Sequence, residues 1–324
     1  MRILITGGTG FIGSHLAEKY LELGEEVYLL DNLSTGSLSN IEHLNGNDRL
    51  HVVIDDILNH DTLGELIGIC DLVFHLAAAV GVKYVIENPL QSIITNVQGT
   101  ENVLKLCNSF GKKVLIASTS EVYGKHTHSP LVEGDNVIFG APTIGRWSYA
   151  ASKLMDEFFA LAYRREKGLD VVIVRLFNTV GPRQTGEYGM VIPRFVQQAL
   201  GNEPITVYGD GRQTRTFTYI KDVVDTFVKL IVTSRAYGQI LNLGGAEEIS
   251  VKDLAEKIKT KTGSKSEIVY VPYDKAYEKD FEDMPRRKPG IKKIEKLVGF
   301  KNTFSLDEML DEIIDYMKGN NKQR

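Results

Sequence analysis

The sequence predicts an α/β fold, a doubly wound parallel sheet with a smaller C-terminal α/β lobe. Three observations predict it. Short Val/Ile/Leu runs alternate with helix-length amphipathic stretches through the first half of the chain, the pattern of parallel strands covered on both faces. A glycine-rich turn, Gly7 to Gly13, joins the first such run to the first such stretch. The 324 residues suffice for about two domains. Strands are expected at Ile3–Thr6, Val27–Asp31, Leu50–Ile54, Leu72–Ala77, Val114–Ser118 and Val171–Leu176. Helices are expected near Ile12–Leu23, Asp61–Ile69, Pro89–Phe110 and Tyr149–Lys167, the last stopped by Gly168. Right-handed crossovers then order these units into one sheet. Past Leu176 the alternation gives way to Gly-, Pro- and Arg-rich loops, with helices expected near Ile192–Leu200, Val223–Val232, Val251–Lys261 and Leu306–Met317. The domain limits expected are 1–176 and 177–324, interleaved, because the strand-like Gln239–Gly244 can return to the first domain, which would then also receive about 218–243.

Composition narrows the function classes. Lys and Arg total 38 against 42 Asp and Glu, a net charge of −4, which disfavours a nucleic-acid or anionic-membrane partner. Cys70 and Cys107 lie in apolar neighbourhoods, too few for a disulfide framework or a four-ligand zinc site, so no metal is expected and a reducing, cytoplasmic location is. No apolar run reaches the length of a signal-peptide core or a spanning helix, so a soluble protein is expected. The short basic pairs Lys112-Lys113 and Arg164-Arg165 read as solvated faces.

The turn Gly7-Gly8-Thr9-Gly10-Phe11-Ile12-Gly13 follows a strand and opens a helix, the context in which glycines bring backbone N–H groups against a pyrophosphate. Asp31 closes the second strand, where a carboxylate accepts from adenosine ribose hydroxyls and repels a 2′-phosphate, so NAD is expected over NADP. Asp56-Ile57 follows the third strand and reads either as a contact to the adenine edge or as surface. Ala77-Ala78-Ala79 leaves room for a cofactor beside the backbone, and His75 reads as a satisfied strand-end histidine.

Tyr149 and Lys153 are one helical turn apart and share a face. A phenol with pKa near 10 must drop by about three units, or about 4 kcal/mol, to act as a base at neutral pH. An ammonium about 5.5 Å away at an effective dielectric near 20 supplies roughly 3 kcal/mol, leaving the rest to the positive nicotinamide ring. Ser118-Thr119-Ser120-Glu121-Val122-Tyr123-Gly124 follows a parallel strand, at the end where ligands bind. Thr119 can hydrogen-bond the reacting hydroxyl and Glu121 can serve as an acid/base; capping of the strand-end turn is the alternative for both.

With these residues in place, the chain resembles the extended short-chain dehydrogenase/reductases of the NAD-dependent epimerase/dehydratase family along essentially its whole length. The resemblance is carried by Thr6 to Leu16, Asp31-Asn32, His75 to Ala78, Asn96 to Thr100, Ser118 to Gly124, Tyr149 to Lys153, Phe177 to Arg183 and Val207 to Arg215. It implies a Rossmann-type NAD domain and a lobe that binds a nucleotide-sugar, usually UDP-linked. It implies that Tyr149 takes the proton from the sugar 4-hydroxyl as hydride leaves C4, giving a 4-keto sugar, with Thr119 assisting and Lys153 also holding the nicotinamide ribose. The cofactor set it implies adds Asn32, Ile57, Ala79 and Asn96. The substrate set is Thr119, Ser120, Asn178, Arg183, Val191, Arg215 and Arg287. A homodimer through a four-helix contact that includes the Tyr149 helix is likewise implied.

Three fates compete for the keto sugar. Return of hydride to the other face gives a C4 epimer; a C5 carboxylate, β to the ketone, is lost as carbon dioxide; dehydration across C5 and C6 is third. Dehydration ranks last because similar 4,6-dehydratases carry Asp-Glu where this chain has Ser120-Glu121. Ser118 to Gly124, Gly181-Pro182-Arg183 and Gln213-Thr214-Arg215 are similar to UDP-glucuronate decarboxylases, whereas Ala78 to Lys83 looks like the epimerase version. The sequence therefore favours 4-epimerisation of a UDP-hexose or UDP-hexuronate, with UDP-glucuronate decarboxylation as the alternative and an NAD-sensing scaffold as the non-enzyme one. Arg183 suits a hexuronate carboxylate, the diphosphate or a structural ion pair. Met190-Val191 and Gly290 depart from hexose epimerases, which often have Asn-Leu and Asp there. Trp147 either lines the sugar pocket or packs.

Overall fold

The computed structural model describes residues 1–186, 190–276 and 284–321. The strand β1 (Arg2–Thr6) is apolar at Ile3, Leu4 and Ile5, all fully buried, as a strand covered on both faces requires. It is followed by β2 (Glu26–Asp31), β3 (Leu50–Ile54), β4 (Leu72–His75), β5 (Lys113–Thr119) and β6 (Val171–Leu176). With Ile240–Leu243 these form a seven-stranded sheet, every neighbouring pair parallel, in the order Ile240–Leu243, β6, β5, β4, β1, β2, β3. The order reverses between β1 and β4, and a cleft opens there at the carboxyl ends of the strands. The strand expected over Leu72–Ala77 ends two residues early. Ala77 N–H turns to the side-chain oxygen of Thr6 at 3.3 Å, so the chain leaves the sheet after His75.

The connecting helices are α1 (Phe11–Glu22), α2 (His60–Ile69), α3 (Val82–Glu87), α4 (Pro89–Ser109) and α5 (Arg146–Lys167). Pro89 stands at the start of α4, where its missing N–H costs nothing, and Gly168 closes α5 with φ of 75° behind Arg164, Arg165 and Lys167 in the last turn. The helix expected from Tyr149 begins at Arg146, and α3 was not expected. Beyond β6 come α6 (Val191–Leu200), α7 (Ile220–Ile231) and α8 (Val251–Thr262), then helices Tyr273–Ala276, Lys292–Val298 and Leu306–Asn321.

Two cores flank the sheet. One, under α2, α4 and α5, contains Leu63, Ile67, Val103, Leu104 and Ala160. The other contains Leu16, Tyr20, Phe74 and Phe227 and runs without a break into Val207 of a later strand and Phe195, Leu254 and Leu310 of the later helices. Small sheets shape the outer wall of the cleft: Ile205–Tyr208 pairs with Ile268–Val271, and Thr214–Thr216 lies between Glu248–Ser250 and Arg286–Arg287. Trp147 is buried and stacks on Phe139 at 6.0 Å; it is not among the residues lining the cleft. Cys70 and Cys107 are free and buried, burial pushing the Cys70 thiol up to about 12 and raising that of Cys107 as well. Both are therefore unreactive at neutral pH.

A buried ion pair locks α5 to the sheet. Arg175 on β6 meets Glu157 through two bonds of 2.9 and 2.7 Å, and Ser118 donates to the same carboxylate at 2.5 Å. Removing one partner leaves an uncompensated buried charge. Arg175→Met is expected to destabilise the fold by about 3–5 kcal/mol in urea unfolding, and the double change Arg175→Met with Glu157→Met to recover most of that loss.

Candidate active site

The cleft encloses about 850 Å³ and is lined from the ends of β1, β2, β5 and β6 on one side and from the second half of the chain on the other. At its inner end the glycine turn touches the chain after β4. A Cβ on Gly7, whose φ is 69°, would stand 2.7 Å from Ala77 N, and one on Gly13 would stand 2.2 Å from Gly7 O. Only glycine permits this closeness, which leaves backbone N–H groups of the turn facing the cleft at the start of α1. Asp31 accepts from Thr9 N–H at 3.0 Å and from Leu33 N–H at 2.9 Å, so its carboxylate is fixed with lone pairs left over for ribose hydroxyls. The loop after β2 is drawn in with it, Asn40 donating to Thr9 O at 2.8 Å. Ser34 to Ser37, Ser39 and Asn40 line the cleft, a contribution the sequence motifs did not mark.

Of the cofactor residues expected from sequence, Gly7, Gly10, Phe11, Ile12, Gly13, Asp31, Asn32, Ile57, Ala77, Ala78, Tyr149 and Lys153 line the cleft. Asp56, Ala79 and Asn96 are not among the lining residues and act behind it. Asp56 accepts from Asn32 at 2.8 Å and caps Leu58 N–H at 2.9 Å, while Asp55 takes the lining position. Asn96 braces the Ala79 N–H at 2.8 Å and donates to Ser152 on α5 at 3.1 Å. His75 is buried between Thr6 and Thr100 at 2.8 and 3.0 Å, and burial pushes its pKa down to about 3, leaving it neutral.

Thr119, Ser120, Glu121, Tyr149 and Lys153 meet in the middle of the cleft. Thr119 caps the turn after β5, accepting from Glu121 N–H at 3.2 Å, and its hydroxyl favours the ionised form of Tyr149. Two expectations are corrected here. Glu121 is not a free acid/base: Arg146 Nη2 lies 2.8 Å from one carboxylate oxygen and Arg287 Nη1 2.6 Å from the other, with Arg215 also near. Burial opposes ionisation, but the guanidinium groups of Arg287 and Arg146 overcome it and hold the carboxyl down to about 2. Tyr149 is not acidified here: burial raises its pKa and the Glu121 and Asp156 carboxylates raise it further, only partly offset by Thr119, while Lys153 Nζ sits 2.7 Å from Asp156.

The remaining substrate candidates line the outer half of the cleft. Asn178 has φ of 38° and donates to Thr216 O at 2.8 Å. Arg183, with φ of 69°, is engaged by Glu18 at 2.6 Å and His43 at 3.1 Å, while its Nη1 is buried without a partner among the described residues. Val191 opens α6, and Arg215 and Arg287 lie on adjacent strands of the outer sheet. At Gly290 a Cβ would lie 2.7 Å from Val132 Cγ1, so the backbone has no room there for the aspartate of similar enzymes. Arg146 and Arg194 also line the cleft and were not singled out from sequence. Arg194 stacks over Tyr208 at 3.9 Å, with its Nε buried and unpartnered among the described residues. The signal for Arg146 was its place three residues before Tyr149 on the same helix.

A family model described as GDP-mannose 4,6 dehydratase matches residues 4–313. The chain belongs to the extended short-chain dehydrogenase/reductases of the NAD-dependent epimerase/dehydratase family. This family member is 42% identical to the UDP-N-acetyl-alpha-D-glucosaminuronate decarboxylase of Bacillus cytotoxicus, over 98% of each chain. It is 37% identical to UDP-glucuronic acid decarboxylase 1 of Xenopus tropicalis, over 98% of this chain and 72% of that protein. Among solved structures, UDP-glucuronic acid 4-epimerase from Bacillus cereus, in complex with UDP-glucuronic acid and NAD, superposes with a TM-score of 0.89. The identity is 30%, over 99% of this chain and 100% of that one. A dTDP-glucose 4,6-dehydratase from Streptomyces venezuelae with NAD bound gives the same TM-score at 30% identity, over 100% and 98% of the two chains. The cofactor is NAD, and the cradle formed by Gly7, Gly13 and Asp31 fits it. The protein is an enzyme of the sugar-nucleotide epimerase, dehydratase and decarboxylase group. No helix among the described residues is long and apolar enough to cross a membrane.

Because the folded pKa of Glu121 lies below its ordinary 4.5, the stability it contributes is present above about pH 5 and lost as the pH falls through about 2. The wild type is therefore expected to exceed Glu121→Gln by up to about 3 kcal/mol in denaturant unfolding at pH 7. That difference should shrink steadily between pH 5 and 2.

Proposed function

We propose that the enzyme decarboxylates a UDP-linked hexuronate through a 4-keto intermediate, in place of the epimerisation that the sequence motifs favoured. The observation that carries this reading is the Arg287 guanidinium in the cleft wall, buried, with its Nε lacking a partner among the described residues. A guanidinium fork there suits a substrate that bears a sugar carboxylate or a diphosphate. The kinship to two curated hexuronate decarboxylases supports the same choice over the epimerases.

NAD, when bound, accepts hydride from the sugar C4 and returns it. Tyr149 takes the 4-hydroxyl proton, with Thr119 aligning that hydroxyl. Once C4 is a ketone the C5 carboxylate is β to it, so carbon dioxide leaves and the electron pair passes into the carbonyl as an enolate; C5 then takes a proton from solvent, restoring the ketone, which regains hydride at C4 and a proton on its oxygen from Tyr149. Arg287 and Arg215 hold the anionic substrate, and Glu121 fixes Arg146 and Arg287 in place. Lys153 holds the ribose of the cofactor. Arg194 and Tyr208 form the wall for the nucleotide. Copies of the chain pair through α4 and α5, which pack on each other and each expose an apolar side chain, Leu90 at 70% and Phe158 at 59%.

The test is incubation of the enzyme and NAD+ with UDP-glucuronate and UDP-N-acetylglucosaminuronate, followed by mass analysis. Loss of carbon dioxide is expected from at least one of them. A product of unchanged mass and new retention time establishes epimerisation instead. Tyr149→Phe is expected to cut turnover by about 10²–10⁴-fold with NAD+ affinity little changed.

A further inference from the structure

The 2.6 Å contact between Glu121 and Arg287 exists only while the turn after β5 and the strand Arg286–Arg287 keep a fixed separation. A second, buried joint connects the same two segments. Tyr123 ends the single helical turn Ser120–Tyr123 that carries Glu121, and its hydroxyl donates to Asn242 Oδ1 at 2.7 Å. Asn242 lies on the edge strand Ile240–Leu243 and donates from Nδ2 to Leu131 O at 2.9 Å and to Gly290 O at 3.4 Å. Leu131 pairs with the chain just past Arg287: its N–H donates to Lys288 O at 2.8 Å and its carbonyl accepts from Gly290 N–H at 2.7 Å. Gly290 makes this approach possible, since a Cβ there would meet Val132 Cγ1 at 2.7 Å and Leu131 O at 3.2 Å. One asparagine amide thus bridges the turn that carries Glu121 and the segment that carries Arg287, with its oxygen and both its hydrogens engaged.

The joint sits in apolar surroundings of its own. Val122, Tyr123, Leu131, Phe177 and Met284 form a small core beside the two larger ones, and Tyr123 and Asn242 are fully buried. The Arg175 guanidinium lies 4.6 Å from the centre of the Tyr123 ring, and Asn242 N–H donates to Glu133 Oε1 at 2.9 Å, two residues beyond Leu131. An amide is a costly filling for such a place, where leucine has a similar size and needs no partners. What the amide adds is direction: a satisfied buried network fixes the relative position of two backbones that apolar contact alone would let slide. Neither Tyr123 nor Asn242 is among the residues lining the cleft, so an effect of either on a ligand must pass through those that are.

We propose, resting on Arg287 as a group that holds the anionic substrate in the reaction above, that Asn242 is a positioning residue. With Tyr123 and Leu131 it sets the distance between the turn after β5 and the strand Arg286–Arg287, and so aims the Arg287 guanidinium at the substrate anion.

The test is calorimetric titration of UDP-glucuronate into the full-length Tyr149→Phe protein loaded with NAD+, in which the sugar is not consumed. Asn242→Leu and Tyr123→Phe are each made alone and together with Arg287→Lys, which leaves Glu121 a cation but removes the guanidinium fork. Arg287→Lys is expected to weaken UDP-glucuronate by about tenfold, the size of one charged hydrogen bond. Asn242→Leu is expected to weaken it by roughly fivefold and Tyr123→Phe by less, with NAD+ affinity unchanged in both; added to Arg287→Lys, neither weakens it further, because no fork is left to aim. Tyr123→Phe deletes a single hydroxyl and carries the test should Asn242→Leu fail to fold. A purely structural joint lowers the melting temperature and leaves the affinity unmoved, or lowers the affinity by the same factor with and without Arg287→Lys; either result in a variant that folds overturns the proposal. An Arg287→Lys protein that binds UDP-glucuronate as tightly as its parent overturns the role given to Arg287, and the proposal with it. Because the readout is binding, coupling of Asn242 to Arg287 supports the proposal even where mass analysis finds no loss of carbon dioxide.

Discussion

A carboxylate in the wall of a narrow cleft must be neutralised, and the arrangement around Glu121 follows from that requirement. Its two partners come from distant parts of the chain: Arg146 from the first turn of α5, Arg287 from the strand Arg286–Arg287 of the outer sheet. The ion pair therefore also joins the two walls of the cleft. Extension of α5 back to Arg146 brings a cation to the turn after β5, and the same helix then delivers Tyr149 one turn later. Charge pairing and the placement of Tyr149 in the cleft are two results of one helix start.

The cofactor end is organised by contact distance. Gly7 and Gly13 let strand, turn and helix approach so closely that a methyl group has no space, and Asp31 is fixed by two backbone N–H groups before any ligand arrives. A site organised in this way avoids part of the ordering cost on binding. The same economy holds behind the cleft, where Asn96 links the chain after β4 to Ser152 on α5.

The strands were legible because burial on both faces writes continuous apolar runs, as in Ile3-Leu4-Ile5 and Val171 to Val174. The glycine turn was legible because its spacing is a steric demand. α3, only Val82–Glu87, was not, since so short a segment carries too little periodicity. That Thr119, Glu121, Tyr149 and Lys153 line one cleft could be read from the sequence, but how they pair could not. Arg287 reaches Glu121 across more than half the chain, and the pairing of Lys153 with Asp156 depends on what is buried beside it. Spacing reports who shares a helix face, while desolvation and pairing decide what each group does there. Asp56 and Asn96 illustrate the same limit in another form: the right segments, but braces behind the wall.

The strand Ile240–Leu243 lies at the far edge of the sheet, beside β6, yet more than sixty residues separate the two. Those intervening residues, α7 among them, build much of the outer wall, and they share one uninterrupted apolar core with α1. During synthesis the edge of β6 therefore stays open until about three quarters of the polypeptide has left the ribosome. An open edge is a template for mispairing, which gives the nascent chain a window of aggregation risk that a fold completing its sheet before its substrate lobe avoids.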